Sequence, residues 1–134
     1  MFTKTAEYAL RAVVVIAQTS EDGPVLAKDI AADGQIPARY LSKVLRDLVR
    51  AGVLTSTRGI GGGFKLRRRA NKVKLIDVVR PFEDVLASRR CLFGNPRCSD
   101  DRPCSMHKRW KPVKEAFRKL LEETTVADVA REQA

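Results

Sequence analysis

The chain has 134 residues, the size of one domain, with 44% apolar and 31% charged residues, enough to build a core and stay dissolved. Its longest apolar run, Ala12 to Ala17, is far short of the roughly 20 residues a membrane helix needs, and an acid at Glu7 ahead of that run argues against a secretory leader, so the expected location is cytoplasmic. The net charge is +10. Between Gly34 and Lys74 eleven basic residues face the single acid Asp47, so this one segment holds the whole surplus and the rest of the chain is neutral. Positive charge gathered in this way attracts a phosphate backbone.

Thr3 is placed to cap a first helix running to about Gln18, with Ala6, Leu10, Val13, Val14 and Ala17 at helical spacing. A turn through Gly23-Pro24 leads to a short helix over about Leu26 to Ala32. Asp33-Gly34-Gln35 breaks it, with Gly34 free to take a positive φ. Pro37 suits the first turn of the next helix. Leu41, Val44, Leu45, Leu48 and Val49 form one apolar stripe on it, Arg39, Lys43, Arg46 and Arg50 lie off the stripe, and Gly52 stands where a C-terminal glycine cap belongs.

Val53 to Arg58 reads as a strand, Gly59 to Gly63 as its connection, and Phe64 to Arg67 as the returning strand. A short third strand is expected at Val73-Lys74, and a helix from Leu75 to Arg80 that Pro81 ends or kinks. Three cysteines fall in an irregular stretch over 88–106. A long helix is expected from His107 to Glu123, striped by Trp110, Val113, Phe117, Leu120, Leu121 and Thr124, with Pro112 acceptable only as part of the first turn. Thr125 and Asp128 have capping-box spacing, so a last short helix starts there. The expected organisation is a DNA-binding domain over 1–80, a cysteine-containing loop over 81–106, and a dimerisation helix with its tail over 107–134.

Two helices, a turn, a basic second helix and a basic hairpin make a mainly α winged helix-turn-helix with a two-stranded wing and a long C-terminal dimerisation helix. A recognition helix reaches base edges in the major groove with its N-terminal residues, here Arg39, Tyr40, Ser42 and Lys43. Tyr40 is equally suited to lie half-buried beside Leu41. Arg46 and Arg50, further along, are placed for phosphates. Arg58, ahead of a glycine turn containing Gly61, can enter a narrow minor groove, with Lys65 on the return strand.

Six residues separate Cys91 from Cys98, five separate Cys98 from Cys104, and two separate Cys104 from His107. Three thiolates and an imidazole satisfy zinc, and three thiolates with one further ligand satisfy an iron–sulphur cluster, so spacing leaves both open. A Cys104–His107 nucleophile pair lacks an orienting third residue and an oxyanion site, so no enzyme is expected.

The stretch from Tyr40 to Phe64, with its Arg58-Gly-Ile-Gly-Gly-Gly wing, resembles the recognition helix and wing of IscR/NsrR-type regulators. The opening Thr3 to Arg11 and the cysteine trio resemble the same family, so the likeness spans nearly the whole chain. It implies a homodimer that reads pseudo-palindromic promoter DNA and does not act at a membrane. It also implies an iron–sulphur cluster, 2Fe-2S ahead of 4Fe-4S, whose occupancy senses redox state, iron or nitric oxide. His107 matches the fourth ligand of IscR-like members. Glu7, donated by the partner chain, matches that of NsrR-like members. The gap between Cys91 and Cys98 is one residue longer than the IscR-like pattern. A zinc-binding or cluster-free winged-helix regulator is the alternative. Trp110, Val113, Phe117 and Leu120 are the expected dimer contacts.

Overall fold

The computed structural model describes residues 2–19, 23–83 and 105–133. Helix α1, Lys4–Thr19, is the hub against which most of the other elements pack. The Thr3 hydroxyl accepts the Ala6 N–H at 3.2 Å, the cap its sequence position implied. The buried face is wider than the expected stripe. Ala9, Ala12, Val15 and Ile16 are buried along with Ala6, Val13 and Val14, because α2, α3, α4, α6 and the wing all approach it.

Helix α2, Ala27–Gly34, and helix α3, Ala38–Arg50, form the helix-turn-helix. The turn departs from expectation. Gln35, not Gly34, is left-handed, with φ 53. Gly34 stays in the helix and is buried, and a Cβ there would lie 3.0 Å from Ile36 Cδ1. The glycine therefore makes room for a side chain instead of freeing the backbone. Pro37 is the N-cap of α3, with φ −58 and ψ 129. Leu41, Val44, Leu45 and Leu48 are all buried. After the helix, Gly52 (φ 81) donates to Val49 O at 3.1 Å and Val53 to Leu48 O at 3.0 Å, a Schellman cap with buried Val53 folded back on the last turn.

Strands β1, Leu54–Thr57, and β2, Gly63–Leu66, pair antiparallel with Leu54 opposite Leu66 and Thr57 opposite Gly63. The hairpin is anchored at its base. Val25, just ahead of α2, exchanges two backbone hydrogen bonds with Phe64, both 2.8 Å. The expected third strand at Val73-Lys74 does not join this sheet. A 3₁₀ turn, Ala70–Lys72, redirects the chain, and Lys74 instead bridges Thr125. Leu75 N–H donates to Thr124 O at 3.0 Å and Val126 N–H to Val73 O at 2.8 Å, so these extended residues hold the C-terminal region.

Helix α4, Leu75–Val79, is shorter than expected, with the Asp77 carboxylate accepting the Lys74 N–H at 3.0 Å. Past Pro81, Phe82 packs against the apolar core, and Glu83 Oε1 accepts the Thr3 N–H at 2.9 Å. An acid at a helix N-terminus satisfies an orphan donor and opposes the macrodipole.

Helix α5, His107–Glu123, has the expected bounds. Pro112, however, is its sixth residue, beyond the first turn, so one backbone hydrogen bond is forgone while the helix continues. The Thr125–Asp128 box is present in both directions, at 3.0 and 3.1 Å, and opens α6, Val126–Gln133. Helix α6 folds back on α1, with Val126 wholly buried and Gln18 Nε2 donating to Ala130 O at 3.4 Å. A second apolar cluster of Ala6, Ile76, Val79 and Leu121, with Phe2 and Phe117 against it, joins α1, α4 and α5. Among the described residues no helix is long and apolar enough to cross a membrane.

Candidate nucleic-acid interface

The burial of the α3 stripe decides where its other side chains go. With Leu41, Val44, Leu45 and Leu48 inside, Arg39, Tyr40, Ser42, Lys43, Arg46 and Arg50 are all exposed on the outer face. Arg58, Gly61 and Lys65 are exposed on the wing. The bridge between Val25 and Phe64 ties the base of that wing to the start of the helix-turn-helix. A basic helix and a basic finger thus stand on one continuous core.

Tyr40 is 48% exposed and takes part in a stack that the sequence reading missed. Its ring lies 6.0 Å from that of Tyr8 with an interplanar angle of 26°. The Arg39 guanidinium sits over Tyr40 at 4.8 Å, and its Nη2 donates to Tyr40 Oη at 3.2 Å. On the other side, Arg11 lies 5.7 Å over Tyr8 and donates to the Gln35 carbonyl at 3.5 Å. Two cations and two rings link α1 to the leading end of α3, by contacts of a kind that fixes ring orientation. Tyr8 and Arg11, three apart on one helix, were the available signal. The Ser42 hydroxyl donates to the Ala38 carbonyl at 3.4 Å, so in the free protein it is turned onto its own helix.

The candidate cluster ligands are placed unequally. Cys91, Cys98 and Cys104 lie outside the described residues, and no group of three or more potential metal ligands occurs among the described residues. His107 is the first residue of α5 and is 9% exposed, a buried polar side chain where the helix leaves the cysteine segment. One turn on, the indole Nε1 of Trp110 is buried without a hydrogen-bond partner among the described residues. Glu7 sits in the first turn of α1, ion-paired with Lys4 at 3.3 Å on the surface. Of the expected dimer contacts, Val113 and Leu120 are 48% and 52% exposed, whereas Phe117 turns toward Phe2 of its own chain at 5.5 Å.

Residues 2–132 match the family model of Rrf2, described as an iron-dependent transcriptional regulator. The chain belongs to the Rrf2 family. It is 34% identical over 130 residues to protein rrf2 of Nitratidesulfovibrio vulgaris, covering 97% of this chain and 87% of that one. It is 29% identical over 131 residues to the HTH-type transcriptional regulator IscR of Yersinia pestis, covering 98% and 79%. Among solved structures, that of T. potens IscR superposes with a TM-score of 0.78 at 25% identity, covering all of this chain (100%) and 88% of that one. The global cysteine regulator CymR of B. subtilis gives 0.81 at 23% identity, covering 98% and 97%, a likeness of fold. As an Rrf2 protein the chain is a winged-helix, DNA-binding transcriptional regulator and not an enzyme.

Proposed function

We propose that this Rrf2 protein is a cytoplasmic homodimer that reads a pseudo-palindromic promoter site and whose occupancy of it follows an iron–sulphur cluster. The observation that carries the DNA reading is the exposed basic face of α3 and the wing, set on the buried Leu41, Val44, Leu45 and Leu48, with Val49 of the expected stripe partly buried. Arg39, Tyr40, Ser42 and Lys43 meet base edges in the major groove. Arg46, Arg50 and Lys65 hold phosphates, and Arg58, beside Gly61, enters the minor groove. Two copies joined along α5 through Val113 and Leu120, flanked by Trp110 and Phe117, set the recognition helices about 34 Å apart.

Cys91, Cys98, Cys104 and His107 form the ligand set, with a 2Fe-2S centre preferred to 4Fe-4S. Two features support it. His107 is withdrawn from water at the junction of α5 with the cysteine segment, and Trp110 one turn away has a buried N–H without a partner among the described residues, a donor of the kind that thiolate sulfur accepts from. Glu7 of a partner chain is the weaker fourth ligand, since its carboxylate already faces Lys4. When bound, the group supplies a centre that reacts to redox state, iron supply or nitric oxide. His107 begins α5, so a change in what it holds acts at the base of the dimer helix. A bias of about 1–3 kcal/mol between two dimer geometries suffices to switch binding.

Anaerobic purification with an absorption spectrum and counts of iron, sulphide and zinc tests the ligand set. A brown or red protein with matched iron and sulphide is expected, and a colourless zinc protein overturns it. Cys→Ala at 91, 98 or 104 is expected to change promoter affinity or site choice, and unchanged binding at every site overturns sensing. Neutralising Arg39, Lys43 and Arg58 together is expected to lower operator affinity about a thousandfold, and neutralising the phosphate-holding Arg46, Arg50 and Lys65 to lower the salt slope by about three. An untouched affinity in the first variant, or an untouched slope in the second, removes the DNA-binding assignment of those residues.

A further inference from the structure

The wing tip, residues 59–63, is four glycines and one isoleucine. The turn accounts for the glycines. Gly59 and Gly61 are left-handed, with φ 92 and 78, and a Cβ on Gly62 would run into the Thr57 carbonyl. Gly62 N–H donates to Gly59 O at 3.0 Å and closes the turn. The turn does not account for Ile60. Its side chain is fully exposed, at 110% of the reference value, and belongs to neither apolar cluster. A large β-branched apolar group is thus held in water at the end of a basic finger, as the one side chain the tip carries.

We infer that Ile60 is a specificity-determining residue of the wing, which seats its side chain in the DNA minor groove over A·T pairs. The proposal rests on the wing reading duplex DNA and adds a base preference to it. A minor groove about 6 Å wide admits a backbone stripped of side chains by its glycines. Arg58, two residues before Ile60, is drawn to the deeper negative potential of a narrow A·T groove, so the isoleucine arrives on the same stretch of sequence. There the deoxyribose walls are apolar, and the floor of an A·T pair carries no exocyclic amine. A G·C pair in that place puts the guanine 2-amino group under an aliphatic side chain that cannot accept its hydrogen bond. Apolar side chains of other proteins also enter the minor groove, where they wedge between base steps.

The test uses the full chain and duplexes it selects from a random pool, with the pairs flanking the major-groove contact made A·T, G·C or inosine·cytosine in turn. Inosine lacks the 2-amino group but keeps the major-groove face of guanine. The native chain is expected to bind A·T and inosine flanks alike and G·C flanks about tenfold more weakly. Ile60→Ala is expected to lose most of the tenfold discrimination against G·C flanks and to keep only the weaker A·T preference that Arg58 supplies, with an unchanged salt slope and an unchanged melting temperature. Arg58→Ala should lower the salt slope and still distinguish inosine from guanine. If Ile60→Ala keeps the native preference, or if native protein treats inosine as guanine, the inference is overturned while the DNA-binding reading stands. If the native chain selects no duplex at all, both fall.

Discussion

Helices α3 and α5 are both amphipathic and basic, and the chain treats their apolar faces in opposite ways. In α3, thirteen residues long, Leu41, Val44, Leu45 and Leu48 are covered by the chain's own core. In α5, seventeen residues long, Leu121 is the buried apolar residue, Phe117 is partly covered, and Val113 and Leu120 face out, seven residues apart on one side. A helix whose apolar stripe is satisfied within the chain becomes a rigid mount and meets its partner with polar groups. A helix whose stripe is left open meets its partner with that stripe. The proposed pairing of two copies rests on the same accounting of buried surface as the DNA-binding face.

The comparison can be broken most directly at α3. Leu45→Ala should destabilise the fold by about 3 kcal/mol in denaturant unfolding, and a loss under about 1 kcal/mol would mean that the helix is not mounted as described. At α5, Val113→Asp with Leu120→Asp should leave the unfolding of each chain nearly unchanged, within about 0.5 kcal/mol. Sedimentation should then show single chains and operator affinity should fall about tenfold. A persistent dimer would end the contrast. A smaller change sharpens it where α5 hands over to α6. Thr125→Ala removes one arm of the α6 cap and should cost about 1 kcal/mol.

The same cap carries a pH signature. The Thr125 N–H and hydroxyl hold the Asp128 carboxyl below its ordinary range, with Arg131 adding to the effect. A depressed folded value means that stability is present in full above the ordinary carboxylate range and is lost as pH falls through the folded one. Acid unfolding followed by circular dichroism should therefore be less steep in Asp128→Asn, and coincident curves would show the bond idle. The smallest effect belongs to the stack beside the recognition helix. Tyr8→Ala should weaken operator binding about threefold and leave non-specific binding alone, with Tyr8→Phe restoring it. Equal behaviour of both variants would remove Tyr8 as a positioning residue.

What could be read from the sequence was local. The bounds of α5, the Thr3 cap, the stripe of α3, the Gly52 cap and the Thr125–Asp128 box all depend on residues within a few positions of each other, and the structure has each of them. The misplaced features depend on distant partners. Nothing near Val73 says that it will pair with Val126, and nothing near Val25 points to Phe64. The role of Gly34 turned on the packing of Ile36, and that of Glu83 on the far end of α1. Among the site residues, exposure of the cations followed from periodicity, while Tyr8, Arg11 and Ile60 stood out once neighbours and solvent were known.

Val126 and Ala130 complete the cover over α1, and the bridge from Lys74 to Thr125 stitches that cover down. The reading head therefore borrows its roof from the end of the chain. A fragment cut at residue 80 would keep the side chains proposed to meet DNA yet bare the face of the hub helix that α6 covers. Anyone trimming this regulator to a minimal DNA-binding piece should expect a sticky, half-melted product unless the last helix is supplied again.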